Sequence, residues 1–295
     1  MTANQKGALF MVLAMSAYTC NDAIVKLLGV TLPLSQILVL RGTSASVLLL
    51  ALAIVAKEQI NPRNAAEWGF VLVRGGCEVA ATYFFLTALL VMPIANITAV
   101  MQALPLTVTL AAAVLFRESV GWRRLSAILI GFLGIVLIVR PGPDGFDEGT
   151  FYTLFAVLCI TARDMVTRKM PEGMSSMSLA FCTSIAVTLF GATMAAGQDW
   201  QTVTTTQAGL LLTAALFILS GYLFSVLAMR SGEVSFTAPF RYSGLLVALI
   251  IGLFVFGQWP DALTLLGAAV VVGAGLFTLA REHRKQPLKR PQKPV

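Results

Sequence analysis

Apolar residues fall in ten long runs separated by short polar stretches, near residues 7–27, 34–56, 68–90, 93–115, 122–140, 149–168, 177–196, 207–229, 234–257 and 261–280. A helix rises 1.5 Å per residue, so about 20 apolar residues cross a hydrocarbon core about 30 Å thick. The pattern predicts ten transmembrane helices, because lipid offers no partner for backbone amides and only helices or closed barrels satisfy them internally. The fold expected is an all-α polytopic membrane protein. The first run is too long for a secretory leader, carries Asp22 and Lys26 near its end and has no small-residue cleavage site, so it reads as a helix.

Composition strengthens this picture. Of 295 residues, 57% are apolar and 12% charged, and the mean hydropathy is +0.83. A soluble domain carries about a quarter charged residues. Lys and Arg set the orientation. With a cytoplasmic N-terminus, fifteen fall on the inner side: Lys6, Lys57, Arg63, Arg117, Arg123, Arg124, Arg168, Lys169, Arg230, and Arg281, Arg284, Lys285, Lys289, Arg290 and Lys293 of the tail. Arg140 lies outside, and Lys26 sits at the outer end of the first helix. The expectation is a bacterial-type cytoplasmic (inner) membrane with both termini cytoplasmic. Trp68 and Trp122 then mark the inner interface, Trp200 and Trp259 the outer. The net charge of +7 reads as this bias plus a basic tail, residues 281–295, expected to be disordered beside anionic headgroups rather than to bind nucleic acid.

Soluble-type chemistry is missing. Cys20, Cys77, Cys159 and Cys182 all lie in apolar runs, and the single histidine, His283, follows the last one. No metal motif, catalytic triad or phosphate loop can be assembled, so no cofactor, no metal and no ATP hydrolysis are expected. Asn96-Ile97-Thr98 matches a glycosylation pattern but lies within a span.

The halves repeat. Thr19, Asp22 and Lys26 recur 142 residues later as Thr161, Asp164 and Arg168. Phe84–Glu118 aligns without gaps to Phe224–Gln258 at a shift of 140, matching Ala88 with Ala228, Leu106 with Leu246, and Phe116 with Phe256. Five helices per half is an odd number, so the second half enters the membrane upside down. The expected domains are residues 1–146 (helices 1–5), 147–280 (helices 6–10) and the tail. Inverted repeats of this kind belong to secondary transporters that rock one half against the other.

The run Gln102-Ala103-Leu104-Pro105-Leu106 through Leu115-Phe116-Arg117-Glu118, then Gly121-Trp122-Arg123-Arg124 and Gly131-Phe132-Leu133-Gly134, resembles the EamA repeat of the drug/metabolite transporter superfamily. Phe240-Arg241-Tyr242-Ser243 through Phe256-Gly257-Gln258-Trp259-Pro260-Asp261 resembles a second copy, with Gln258 where the family pattern usually has Glu. The resemblance covers about residues 7–280. It implies a ten-helix bundle around a central substrate cavity, with helices 5 and 10 peripheral, and substrates among amino acids, cofactors, nucleotide-like compounds and drugs. The Arg163-Asp164 and Phe240-Arg241-Tyr242 patterns resemble those of riboflavin and S-adenosylmethionine carriers.

Seven charged residues lie inside spans: Asp22, Arg41, Arg74, Glu78, Arg163, Asp164 and Arg241. Each is costly in hydrocarbon and is expected to face the bundle interior with a partner. Depth sorts them. Asp22 and Arg41 lie about 8 and 10 Å from the outer ends of their helices and are expected to pair, either as structure or gate or in contact with substrate. Arg74, Asp164 and Arg241 lie nearer the inner side, and Asp164 joins Asp22 and Arg41 as a gating or ion-pair candidate. Glu78 falls near the midplane, a turn above Arg74. Lys26 and Arg163, near helix ends, read as structural ion pairs or snorkelling side chains. Helical spacing puts Arg74, Glu78, Thr82 and Phe85 on one stripe, Thr98, Gln102, Pro105 and Thr109 on another, and Thr237 beside Arg241. Pro105 and Pro239 are expected to kink their helices.

The substrate-binding candidates are therefore Arg74, Glu78, Tyr83, Gln102, Phe217, Tyr222, Arg241 and Tyr242. Four intramembrane basic residues against three acidic leave one positive charge, which a carboxylate or phosphate completes, although a zwitterion bridging Glu78 and Arg241 fits equally. The expected function is a secondary transporter of a small organic metabolite working by alternating access, with Glu78 the candidate for proton coupling. Small-molecule substrate, lipid and protons are the expected partners, and a homodimer stays open. The alternative is a membrane-embedded enzyme acting on a lipid-linked substrate; the loop acids Asp144, Asp147 and Glu148 form no evident paired site for it.

Overall fold

The computed structural model describes residues 1–58, 60–62, 64–117, 121–140, 148–171, 175–231 and 234–283. Arg63, Glu118, Asp144, Asp147 and tail residues 284–295 lie outside them. The described chain is helical and holds no strand: α1 (Ala3–Leu28), α2 (Leu34–Ala56), α3 (Ala65–Val91), α4 (Ile94–Met101), α5 (Leu104–Leu115), α6 (Trp122–Val139), α7 (Glu148–Arg168), α8 (Ser176–Ala195), α9 (Thr205–Ser231), α10 (Val234–Thr237), a 3-10 turn (Ala238–Tyr242), α11 (Ser243–Phe254) and α12 (Ala262–His283). With α4–α5 taken as one passage, seven segments are long and apolar enough to cross a membrane, and Leu125–Val139, Ala238–Phe254 and Ala262–Thr278 are shorter apolar helices. The protein is a multi-pass membrane protein.

Local chemistry fixes the helix ends. Thr2 and Gln5 form a reciprocal capping box at α1, and Asn64 accepts from the Glu67 amide at 2.8 Å at α3. Ser175 caps α8, accepting from the amides of Met177 and Ser178. Each cap takes up donors that the first turn of a helix leaves unpaired. Asp261 does the same for α12, accepting from the Thr264 amide at 2.9 Å. It also pairs with Arg140 at the end of α6, and that guanidinium holds the Asp261 carboxyl well below the usual carboxylate range. All four tryptophans are exposed, as interface residues must be.

Two passages are broken, as the prolines led one to expect. Pro105 has no N–H to return to the Met101 carbonyl, so α4 stops at Met101 and α5 restarts at Leu104. Pro239 lies in the 3-10 turn between α10 and α11. The two prolines are not equivalent in the repeat alignment, yet α5 and α11 restart within a residue of matching positions.

Side-by-side packing joins α1 to α9, α3 to α7, α2 to α8 and α6 to α12. Small residues let these helices approach. A Cβ on Gly134 would come within 2.8 Å of the Gly267 carbonyl oxygen, and one on Gly267 within 2.6 Å of the Gly134 carbonyl oxygen. Between α2 and α8, a Cβ on Gly42 would meet Thr188 Oγ1 at 2.3 Å, and the Ser46 and Ser184 hydroxyls lie 2.8 Å apart. One buried cluster gathers Leu28, Leu32, Ile37, Leu38, Leu89 and Met92 near the C-terminal ends of α1 and α3 and the start of α2. A second, around Val100, Leu106, Ile128 and Val271, seats the α6–α12 pair at the side of the bundle. Leu125, Leu129, Leu133, Leu263 and Leu266 are exposed, as a lipid-facing surface requires.

Candidate functional site

A cavity of about 500 Å³ lies among α1, α2, α3, α7, α8, α9 and the 3-10 turn, within the size range of small-molecule sites. Its wall carries Arg41, Arg74, Glu78, Arg163 and Arg241, together with Tyr18, Tyr222, Thr82, Thr183, Ser184 and Ser225.

Arg163 organises the charges. Its Nη1 donates to both Glu78 carboxylate oxygens, at 3.3 and 3.1 Å, while Nε and Nη2 donate to Asp164 Oδ1 at 2.9 and 2.8 Å. One planar fork thus grips two carboxylates on different helices. Arg163 is thus an ion-paired side chain and not a snorkelling one. It lies about a turn inside α7, and the acids beside it hold it inward. Arg74, one turn before Glu78 on α3, approaches that carboxylate at 3.7 Å and donates to Thr167 at 3.0 Å and Thr183 at 2.8 Å. It therefore ties α3 to α7 and α8.

Asp22 and Arg41 do not form the direct ion pair expected from depth. Arg41 Nη1 donates to Asn21 Oδ1 at 3.2 Å, and Asn21 Nδ2 donates to Asp22 Oδ1 at 3.0 Å. Depth along a helix gives level and not direction around the axis, and Asn21 occupies the intervening space. Arg41 is buried at the cavity wall, whereas Asp22 and Asp164 are not among the lining residues.

Arg241 sits in the 3-10 turn and is exposed at the cavity wall, not shielded as its depth suggested. Among the described residues no carboxylate pairs with it. Tyr222 lines the same cavity, as does Tyr18, whose ring fits a notch where a Cβ on Gly221 would come within 2.7 Å. The other four candidates lie outside the lining. Tyr83 packs edge-on against Tyr152 and Phe190, with centroids 6.5 and 5.9 Å away. Gln102 is buried at the end of α4, and Phe217 is half-buried on α9. Tyr242 is buried against α12, its hydroxyl over Gly275. Tyr18, Arg163, Thr183, Ser184 and Ser225 were not anticipated as lining residues; the Arg163-Asp164 dipeptide within a span was the one available signal. Among the described residues no group of histidine, cysteine or acidic side chains is arranged to hold a metal.

The EamA-like transporter family matches residues 5–140 and again residues 148–280. The chain belongs to this family. The S-adenosylmethionine uptake transporter of Rickettsia bellii (strain RML369-C) is 26% identical over 288 residues, covering 96% of each chain. The riboflavin transporter of Brucella anthropi is 22% identical over 283 residues, covering 92% of this chain and 98% of its own. The pseudopaline exporter of Pseudomonas aeruginosa (strain UCBPP-PA14) is 24% identical over 283 residues, covering 92% and 94%. One solved crystal structure shares the fold with a TM-score of 0.67 at 15% identity, covering 96% of this chain and 99% of that one. The EamA-like chain is thus a transporter of small metabolites, and the membrane-enzyme alternative is not favoured.

Proposed function

We propose that this EamA-like protein is a secondary carrier that moves a metabolite bearing a carboxylate or phosphate through the arginine-lined cavity by alternating access. Charge carries the reading. Arg74, Arg163 and Arg241 reach the cavity wall, and Glu78 is the carboxylate among the lining residues. Arg241, exposed at the cavity wall and without a carboxylate of its own among the described residues, keeps its guanidinium fork available to an incoming anion. Glu78 takes the substrate's cationic group or a coupling proton, while Tyr18 and Tyr222 offer rings for an apolar or aromatic portion.

The motion comes from two inverted repeats, residues 1–146 and 147–280. The packing supports this division. Exchange of the halves turns the α1–α9 contact into α7–α3 and returns α2–α8 and α6–α12 to themselves. It also turns the Ser46–Ser184 contact into Thr188–Gly42, which is the neighbouring contact on the same pair of helices. Loop charge supports an inner-membrane orientation with both termini cytoplasmic.

The test is uptake from a metabolite pool into proteoliposomes, followed by mass spectrometry. S-adenosylmethionine and riboflavin are included because relatives carry those names. S-adenosylmethionine has a carboxylate and riboflavin has none. Accumulation of carboxylate- or phosphate-bearing compounds is expected; accumulation of riboflavin and other uncharged compounds alone contradicts the proposal.

A further inference from the structure

The repeat matches one pair of contacts that the cavity does not use. Lys26 and Arg168 occupy the last turns of α1 and α7, and Phe256 and Phe116 follow α11 and α5. Each cation lies over the aromatic ring of the opposite half. Lys26 Nζ is 5.8 Å from the Phe256 centroid, and the Arg168 guanidinium carbon is 5.2 Å from that of Phe116. Lys169 adds a second cation at 5.6 Å from Phe116. The residue after each ring has a positive φ, 63° at Gly257 and 54° at Arg117, so both chains turn sharply after presenting the ring.

Lys26 also closes a gap in the backbone. Pro93 has no N–H to give the Leu89 carbonyl, which leaves that oxygen without its helical donor. The Lys26 ammonium donates to the Leu89 carbonyl and to the Met92 carbonyl. Its side chain is buried beside Leu28, Leu32 and Met92, which pack at the same end of the bundle. The ammonium therefore joins α1, the α3–α4 junction and the end of α11 at one point.

We infer that Lys26–Phe256 and Arg168–Phe116 are matched latches that position the two ends of the bundle during transport. Each fastens the first helix of one repeat to the fourth helix of the other, at opposite faces of the membrane. The inference rests on the inverted-repeat reading. Opening one latch while the other holds exposes the cavity to one face at a time, which is what alternating access requires.

The test uses the full chain in membrane vesicles, with Cys20, Cys77, Cys159 and Cys182 changed to Ser and Ser184→Cys as a probe in the cavity wall. A membrane-impermeant maleimide is applied from each face. Lys26→Met is expected to raise labelling about three- to tenfold from the face nearer Val30 and to leave the other face unchanged. Arg168→Met combined with Lys169→Met is expected to do the reverse. Phe256→Leu and Phe116→Leu keep apolar bulk and carry the same test if a cation variant fails to insert.

Cysteines at Val30 and Leu115 report the two faces independently. If they label from one common face, the inverted repeat fails. If they label from opposite faces while the latch variants change neither face, or both change the same one, the latches are overturned and the repeat stands.

Discussion

Replacing Arg163 by Lys and Glu78 by Gln, singly and together, isolates the contact that organises the cavity. The guanidinium spends one nitrogen on both Glu78 oxygens and two on Asp164. An ammonium keeps the charge but has no rigid fork to serve carboxylates on two helices. A hydrogen bond to a charged group contributes about 1.5–3 kcal/mol. The side chains are 24% and 21% exposed, so solvent screening puts the pair at the lower end, about 1.5 kcal/mol. Arg163→Lys should therefore weaken substrate binding about tenfold. The assay is equilibrium binding of a labelled substrate to detergent-solubilised protein, repeated for each variant. The double variant should lose less than the sum of the singles, with a coupling energy of about 1–2 kcal/mol. Additive losses, within about 0.5 kcal/mol, would show that the two residues act independently and would refute the reading of Arg163 as the organising group.

Asn21→Leu should remove the relay between Arg41 and Asp22: a cycle of Arg41→Gln with Asp22→Asn should show coupling in the parent and none in the Asn21→Leu background, measured by thermal unfolding in detergent. Gly134→Val places its branch against the Gly267 carbonyl, which a Cβ already meets at 2.8 Å; it should cost about 1–3 kcal/mol of stability by overpacking while substrate affinity stays at the parental value, since α6 lines none of the cavity. Asp261 is held below the usual carboxylate range, so its pairing with Arg140 contributes above the unfolded carboxylate pKa and is lost as pH falls toward the lower folded value. Asp261→Asn should therefore lower stability near neutrality, leave it unchanged at the acid end and so flatten the acid side of the stability–pH profile.

Hydropathy reports the solvent that each segment meets, and it carried the architecture far: every expected run contains a helix, and the broken passages follow Pro105 and Pro239. It says little about direction around a helix axis. Arg74, Glu78, Tyr222 and Arg241 reach one cavity, but Tyr83, on the same helix as Glu78, turns into an aromatic cluster with Tyr152 and Phe190. Tyr242, next to Arg241, turns the other way and packs over Gly275. Such choices depend on which neighbour supplies space, and a glycine on a distant helix supplies it. For Arg163, depth alone left an ion pair and a snorkelling side chain both open. Its distance from the helix end allowed an exit to water, and the carboxylate of Glu78 on another helix removed the need for one. Lys26, read the same way, is held instead by the Leu89 carbonyl, which Pro93 leaves without a donor, and by the Met92 carbonyl.

The central claim is that an anionic group of the substrate meets Arg241 at the cavity wall. Its most direct test is counterflow exchange in proteoliposomes with the carboxylate or phosphate compound found by the uptake screen, across a range of concentrations. Loss of a charge-assisted contact of about 1.5 kcal/mol or more predicts that Arg241→Met raises the half-saturating concentration at least about tenfold. Arg241→Lys should fall between that variant and the parent, because charge survives while the two-pronged grip does not. Parental half-saturation in both variants, with normal amounts of folded protein in the membrane, would contradict the account.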